Sequence, residues 1–205
     1  MCMSGIGQTL LKHAFGQPSG TLGRLGGRLM ANGNGATERH LTRLAECAPG
    51  ETVLVIGPGP GVGVREALEA SSRVIAVDPS PVMLEATLRR CRDLLGAGHD
   101  LTLRTGTAER LGQEPSSVDA VISVNNIMIW PDRRAGLAEM LRVLRPGGRL
   151  LVSAHEKWLP TGLVEDCEAV GFEAVKSSRW NGKGPVPGWG SGPVTCRWAI
   201  LGSNQ

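Results

Sequence analysis

The sequence predicts an α/β fold in which helices cover both faces of a doubly wound, mostly parallel sheet. Three observations favour this fold. Strand-like and helical patterns alternate between residues 36 and 153, the first strand is apolar almost throughout and ends at a glycine, and no internal repeat is present. Alternating strands and helices are typical of parallel sheets, and a continuously apolar strand indicates burial on both faces.

The predicted strands are short apolar segments bounded by Gly, Pro and polar residues. They are Thr52–Ile56, Arg73–Val77, Leu101–Thr105, Val118–Val124 and Arg149–Ser153. The clearest helices are Pro81–Leu95, which starts at a proline suited to a first helical position, and Arg133–Leu144, which ends before a Pro-Gly-Gly sequence. Ligands of such sheets bind beyond the carboxyl ends of the strands, so we expect the functional residues there.

Composition excludes several classes of function. The chain has 205 residues, which suits one domain with an appendage, and 22 Lys and Arg against 19 Asp and Glu leave a net charge of +3. The sequence contains no cluster of Lys and Arg that would predict nucleic-acid binding, and no apolar stretch is long enough to span a membrane. The five cysteines never form a C-x-x-C pair, so we expect free thiols, a cytoplasmic location and no bound metal. The absence of tyrosine excludes catalysis by a tyrosine hydroxyl.

The chain divides into two regions of different composition. Residues 1–35 are rich in Gly with a few short apolar anchors, and residues 36–205 carry the predicted α/β domain. The first region buries too little apolar surface to fold alone, so we expect an arm that docks on the open end of the sheet.

A glycine-rich loop, residues 57–63, directly follows the first predicted strand. A phosphate-binding P-loop requires Lys and Ser or Thr after its last glycine, but Val64 and Arg65 follow here. The dinucleotide-binding pattern requires glycines at its first, third and sixth positions, which no register of this loop provides. Pro58 and Pro60 lack N–H groups that could bind an anion, so a ligand without phosphate is favoured.

Several motifs in the same order resemble those of the class I S-adenosylmethionine-dependent methyltransferases, of the small-molecule, UbiE-like type. S-adenosylmethionine carries no phosphate and has a cationic sulfonium. Besides the G-x-G-x-G sequence from Gly57, an acidic residue ends the second strand 21 positions later, at Asp78. Three further segments resemble later motifs of the family: Thr105–Glu109, Asp119–Asn126 and Met140–Leu150.

The resemblance implies a Rossmann-like, seven-stranded sheet that ends in an antiparallel hairpin, formed here by Glu173–Trp180 and Val194–Leu201. It also implies S-adenosylmethionine as the cofactor, with the Asp78 carboxylate accepting hydrogen bonds from both ribose hydroxyls. The expected cofactor-binding residues are Gly57, Gly59, Gly61, Asp78, Pro79, Met83, Ala108, Glu109 and Asn125.

On the acceptor side, the expected reaction is in-line methyl transfer to an O, N or C atom of a small molecule. Candidate substrate-binding residues are Asn126, Trp130 and Trp189, and His155 and His13 are candidate bases. In the family the N-terminal region folds over the active site, so the arm is expected to act as a lid. Residues 181–193 contain five Gly and three Pro, which predicts either a second lid or a disordered loop.

The sequence also departs from the family pattern. Val55 replaces the acid that usually anchors the ligand's amino group, Thr107 replaces an acid near the adenine, and residues 127–130 lack the usual histidines. These departures leave a second hypothesis open, in which the protein is a methyltransferase-like binding or interaction protein without turnover. The sequence also leaves a homodimer open.

Overall fold

The computed structural model describes residues 34–71, 73–95, 98–181 and 195–202. Apart from residues 34 and 35, the predicted N-terminal arm, with His13, lies outside this part of the chain. Trp189 and nearly all of the predicted loop 181–193 also lie outside it. Within the described residues, no helix is both long enough and apolar enough to cross a membrane.

The core of the fold is one sheet. Its strands are β1 (Thr52–Ile56), β2 (Arg73–Asp78), β3 (Asp100–Thr105), β4 (Val118–Val124), β5 (Leu144–His155), β6 (Glu173–Asn181) and β7 (Thr195–Gly202). They pair in the order β3-β2-β1-β4-β5-β7-β6. Strands β1 to β5 run parallel, and β7 is antiparallel to both β5 and β6. The predicted Rossmann-like, mostly parallel sheet is confirmed.

Strand β1 lies at the point where the strand order reverses. Its neighbours are β2 and β4, and its last residue, Ile56, aligns with Val77 of β2 and Ser123 of β4. The chain therefore leaves these three strands at the same edge, and connections that diverge to opposite faces at such a point are typical of a ligand crevice. This edge carries the glycine loop and Asp78.

Helices cover both faces of the sheet, as predicted. They are α1 (34–44), α2 (Val62–Ser71), α3 (Pro81–Leu95), α4 (Arg133–Val143) and α5 (Leu163–Val170). Side chains of β1 alternate between two buried clusters: Leu54 and Ile56 pack with α4 and α5, while Val53 and Val55 pack with α1, α2 and α3. Burial of each such side chain contributes about 1.5–3 kcal/mol, which explains why β1 is apolar on both faces.

The boundary between α4 and β5 differs from the prediction. Helix α4 ends at Val143, one residue early, and β5 begins at Leu144 rather than at Arg149. Leu144 pairs with Val118 and Arg149 pairs with Ala120, so the four residues between them bulge out of the strand. Gly148 permits this bulge because a Cβ there would lie 3.0 Å from the carbonyl oxygen of Asp119. The Pro-Gly-Gly sequence therefore ends the helix but lies inside the following strand.

Candidate cofactor-binding site

The glycine loop turns sharply at the carboxyl end of β1. Gly57, Gly59 and Gly61 have φ angles of +60°, +52° and +82°, a region in which other residues are strained. The positive φ angles therefore explain why glycine occupies every second position of this loop.

The three glycines serve different purposes. A Cβ at Gly57 would lie 2.3 Å from Nδ2 of Asn126, and one at Gly61 would lie 2.8 Å from Cα of Thr87. These two positions allow close packing within the protein. A Cβ at Gly59 would meet no atom within 4 Å, so the bare backbone there faces open space.

Helix α3 fixes the loop in place. The Thr87 hydroxyl donates to the carbonyl oxygen of Gly59 at 3.0 Å, and Nε of Arg90 donates to that of Pro60 at 2.7 Å. Within the loop, the N–H of Gly61 donates to the carbonyl oxygen of Pro58 at 2.9 Å. The loop is thus preorganised by bonds to its carbonyls before any ligand binds.

Asp78 lies beside this loop, at the end of β2, and is only 6% exposed. Its Oδ1 accepts the N–H of Ser80 at 2.8 Å. Burial raises the pKa of Asp78 to about 6, although hydrogen bonds from the backbone N–H groups of Ser80 and Gly59 act in the opposite direction. The bond from Gly59 links the carboxylate directly to the open part of the loop. Two further predicted cofactor residues follow: Pro79 is exposed, whereas the Met83 side chain is buried at the start of α3.

The chain makes a tight turn after β3. Thr107 and Arg110 pair through both of their backbone N–H groups, and the turn contains the buried Ala108. Oε1 of Glu109 accepts the N–H of Asp132 at 3.2 Å, which ties this turn to the N-terminal end of α4. Ala108 and Glu109 are thereby placed level with Asp78, one strand further toward the edge of the sheet.

A cavity of about 520 Å³ lies at this turn and is lined by residues 104–107 and 110–112. Its lining includes neither the glycine loop nor Asp78. The glycine loop at the end of β1 and the buried carboxylate at the end of β2 indicate a cofactor site more strongly than this cavity does. Hydrogen bonds hold both of them in place before any ligand binds.

Asn125 directly follows β4 and has a strained conformation, with a φ of +53°. Its N–H donates to the carbonyl oxygen of Ser153 at 2.8 Å, and its Nδ2 donates to Oδ1 of Asn34 at 3.0 Å. Among the described residues, the buried Oδ1 of Asn125 has no hydrogen-bond partner. Strain together with an unsatisfied buried acceptor is typical of a ligand-binding position.

The side chain of Asn126 is engaged inside the protein. Its Oδ1 accepts from the Ser123 hydroxyl at 2.5 Å and from Nε1 of Trp130 at 3.1 Å, and its Nδ2 donates to the carbonyl oxygen of Ile56 at 2.7 Å. The Trp130 ring packs on Gly136, where a Cβ would lie 2.9 Å from Cε3 of the indole. The described contacts of Asn126 and Trp130 are with other residues of the protein. Their contact with the substrate that accepts the methyl group stays a prediction.

His155 lies at the carboxyl end of β5, on the same edge as the loop. Its Nδ1 accepts the N–H of Lys157 at 3.2 Å. In this arrangement Nδ1 can take a proton from a substrate only after that bond breaks. The role of His155 as a base stays a prediction.

Sequence reasoning missed two polar residues of helix α1. Asn34 bonds to Asn125, and Oε2 of Glu38 accepts the N–H of Gly63 at 2.8 Å. Glu38 is 8% exposed, and burial raises its pKa to about 7 against the lowering effects of that hydrogen bond and of Arg90 and Arg39. Glu38 precedes Leu41 and Ala45 on the apolar face of the helix, so helical spacing was the available signal.

Comparison with known proteins decides the family. A family model described as a methyltransferase domain matches residues 53–148, which span β1 to the start of β5 and hence the loop, Asp78 and Asn125. The chain belongs to the class I S-adenosylmethionine-dependent methyltransferases. The matched residues include the first two motifs identified in the sequence, the glycine loop and Asp78.

Individual relatives cover different shares of their own lengths. The chain is 28% identical to an uncharacterized methyltransferase of Bacillus subtilis, YdaC, over 74% of this chain and 87% of that protein. It is 32% identical to the demethylmenaquinone methyltransferase of Corynebacterium urealyticum, over 56% of this chain but only 46% of that protein. Among solved structures, a Haloferax volcanii methyltransferase in complex with a methyltransferase activator superposes with a TM-score of 0.73 at 18% identity, covering 87% of this chain and 94% of that one. This last likeness concerns the fold.

Proposed function

We propose that this methyltransferase binds S-adenosylmethionine itself and transfers its methyl group to an O, N or C atom of a small-molecule acceptor. One observation carries the proposal. The buried Asp78 carboxylate lies beside a preorganised glycine loop whose central residue, Gly59, faces open space. A buried carboxylate with only backbone N–H partners suits a ligand that offers hydroxyl groups.

The residues present fit this cofactor. Asp78 would accept hydrogen bonds from both ribose hydroxyls, Gly59 would let the ligand contact bare backbone, and the turn with Ala108 and Glu109 would border the adenine. The unpartnered Oδ1 of Asn125 supplies an acceptor for an N–H donor at the other end of the ligand. Two loop prolines lack N–H groups, which disfavours a phosphate ligand but not an uncharged ribose or a cation.

When bound, S-adenosylmethionine supplies a methyl carbon whose bond to sulfur breaks as an acceptor lone pair attacks it, with the electron pair remaining on sulfur. The chain's own contribution is then alignment and exclusion of water. Asp78 and the loop fix the position of the ribose, and the strained Asn125 borders the crevice at the end of β4. An acceptor that binds already deprotonated needs no base, which agrees with the engagement of Nδ1 of His155 by Lys157.

The acceptor side of the proposal rests on residues at the ends of β4 and β5 and on segments outside the described residues. We propose that the N-terminal arm, with His13, and the loop with Trp189 complete the wall around the acceptor. The proposal also includes the seven-stranded sheet with the antiparallel pair β6 and β7, a cytoplasmic location, and a homodimer as the candidate assembly.

A binding protein without turnover is the second candidate, and the loss of the family acid favours it. Val55 is 5% exposed and packs in the apolar cluster beneath helix α1, so it offers the cofactor no charge. A site with weaker attraction for the cationic ligand could serve to sense S-adenosylmethionine or S-adenosylhomocysteine.

Two measurements separate these candidates. Titration calorimetry with S-adenosylmethionine and S-adenosylhomocysteine tests binding, and mass spectrometry after incubation with a panel of small acceptors tests transfer. We expect binding of both ligands and a product heavier by one methyl group. Absence of binding at millimolar ligand would contradict both candidates, and binding without any methylated product would favour the second.

A further inference from the structure

We propose that Glu38 of helix α1 binds the amino group of the cofactor's methionine moiety and so replaces the carboxylate missing at Val55. This inference rests on the proposed function, because it assigns a residue to one end of the same ligand.

Three contacts place the N-terminal half of α1 over the carboxyl edge of the sheet. Asn34 bonds to Asn125 at the end of β4, a Cβ at Gly35 would lie 3.6 Å from the Val62 side chain, and Glu38 bonds to the N–H of Gly63. Asn34 and Glu38 are four residues apart and therefore share one face of the helix. This face borders the region between the end of β4 and the start of α2.

The strand order gives the direction of the ligand. If the adenine lies near β3 and the ribose lies on Asp78 of β2, the rest of the molecule extends toward β1 and β4, away from the edge strand. Neighbouring strands are about 5 Å apart, so a methionine chain crosses one to two strands beyond the ribose. Its amino group then arrives beneath α1, between Asn125 and Glu38.

The two side chains at that place are acceptors. An ammonium group has three N–H donors and requires oxygen acceptors when it is removed from water. Asn125 has a buried Oδ1 without a partner among the described residues, and the Glu38 carboxylate accepts the N–H of Gly63 at Oε2. Arg39 and Arg90 act on Glu38 through their charge, but no ion pair with either is found in the described part of the chain. A ligand cation in contact with Glu38 would therefore be its first ion-pair partner among the described residues.

Val55 and Glu38 also belong to one neighbourhood. Val55 packs in the same cluster as Leu41, which lies one helical turn after Glu38. Glu38 on α1 places a negative charge beside the loop, although β1 carries the apolar Val55 where the family has an acid. Val55 in turn packs beneath α1. The departure from the family pattern at Val55 is in this way compensated from outside the motif.

The test compares two ligands that differ at the amino-acid end. S-adenosylhomocysteine carries the amino group, whereas 5′-methylthioadenosine has the same adenosine and thioether but lacks the amino-acid part. Glu38→Gln keeps the size of the side chain and an oxygen for the Gly63 N–H but removes the charge. We expect titration calorimetry to give about tenfold weaker binding of S-adenosylhomocysteine, and binding of 5′-methylthioadenosine that stays within about twofold.

The control is Glu66→Gln. Glu66 also joins α1 to α2, through its ion pair with Arg43, but at a surface site away from the loop, so it should leave both affinities unchanged. If Glu38 only caps α2, Glu38→Gln will weaken both ligands by the same factor or weaken neither, and the inference is overturned. If that variant fails to fold, Glu38→Asp takes its place, because its shorter side chain moves the charge back by one methylene. We expect Glu38→Asp to lower the affinity for S-adenosylhomocysteine relative to that for 5′-methylthioadenosine.

Failure of the proposed function gives a different result. If the unaltered protein binds neither ligand, the cofactor assignment falls and the inference falls with it. If the unaltered protein binds both ligands and Glu38→Gln leaves their affinity ratio unchanged, only the role of Glu38 is lost.

Discussion

The two halves of the sheet's carboxyl edge use their polar side chains differently. In the cofactor half, at the ends of β1 and β2, Asp78 accepts hydrogen bonds from backbone groups and the adjacent Gly59 faces open space. In the acceptor half, at the ends of β4 and β5, the polar atoms of Asn126 and Trp130 bond to each other and to β1. The first half is arranged to receive a ligand, whereas these residues of the second half stabilise the edge that supports it.

The largest expected effect on cofactor binding comes from substituting the loop glycine that faces open space. Gly59→Val should abolish cofactor binding, because the branched side chain enters the space that the ligand would use. Its cost to the fold is backbone strain of about 1–2 kcal/mol at a φ of +52°, a few degrees in melting temperature. Calorimetry and thermal unfolding on one preparation check both expectations.

Gly61→Ala is the matched control for that variant. Its Cβ would lie 2.8 Å from the backbone of Thr87, so overpacking of about 1–3 kcal/mol adds to the strain and the melting temperature should fall further. An unchanged dissociation constant for Gly59→Val would show that the loop does not contact the cofactor.

Removal of the Asp78 charge should have the next largest effect. Asp78→Asn is expected to weaken binding of S-adenosylhomocysteine by about 1.5–3 kcal/mol, the range for charge-assisted hydrogen bonds. The variant should not lose stability, since it replaces a buried carboxylate with a neutral group of the same shape. Asp93→Asn, at an exposed ion pair with Arg65, serves as the control and should leave affinity unchanged. Equal affinities of Asp78→Asn and the unaltered protein for S-adenosylhomocysteine would show that Asp78 does not bind the ribose.

The raised pKa of Asp78 predicts opposite pH dependences for binding and for folding. If the ribose hydroxyls bind the carboxylate form, as proposed, affinity for 5′-methylthioadenosine should fall about tenfold per pH unit once the pH drops below the pKa of about 6. In the free protein the neutral form is favoured by burial. Asp78 therefore contributes stability at low pH that is lost as the pH rises through 6. Calorimetry between pH 5 and 8 should show a flat profile for Asp78→Asn, and a sloping one would assign the titration to another group.

The smallest effect belongs to the acceptor half. Trp130→Phe removes the hydrogen bond to Oδ1 of Asn126 but keeps most of the ring packing, so it should lower the free energy of unfolding by about 1 kcal/mol. Cofactor affinity should stay unchanged. Chemical denaturation measures the first quantity, and a loss of affinity in the folded variant would show that the two halves are not independent.

Sequence reasoning succeeded where function depends on neighbours in the chain. The glycine loop and Asp78 follow their strands directly, and the parallel register that brings them together follows from the strand–helix alternation. It failed where contacts join distant segments. Glu38 meets Gly63 across 25 residues and Asn34 meets Asn125 across 91, and no local pattern specifies such pairs.

The extent of β5 was missed for a related reason. The Pro-Gly-Gly sequence correctly ended the predicted helix, but Leu144 still pairs with Val118, and the strand includes the bulge because its partner β4 continues there. Strand pairing, which is a tertiary property, overrode the local preference of these residues for a turn.

A crystal structure with bound S-adenosylhomocysteine tests the central claim most directly. We expect both ribose hydroxyls within hydrogen-bond distance of the Asp78 carboxylate, with the ligand in contact with Gly59 and its amino group between Asn125 and Glu38. A ligand found instead in the cavity beside β3, lined by Arg104 and Arg110, with Asp78 untouched, would contradict it.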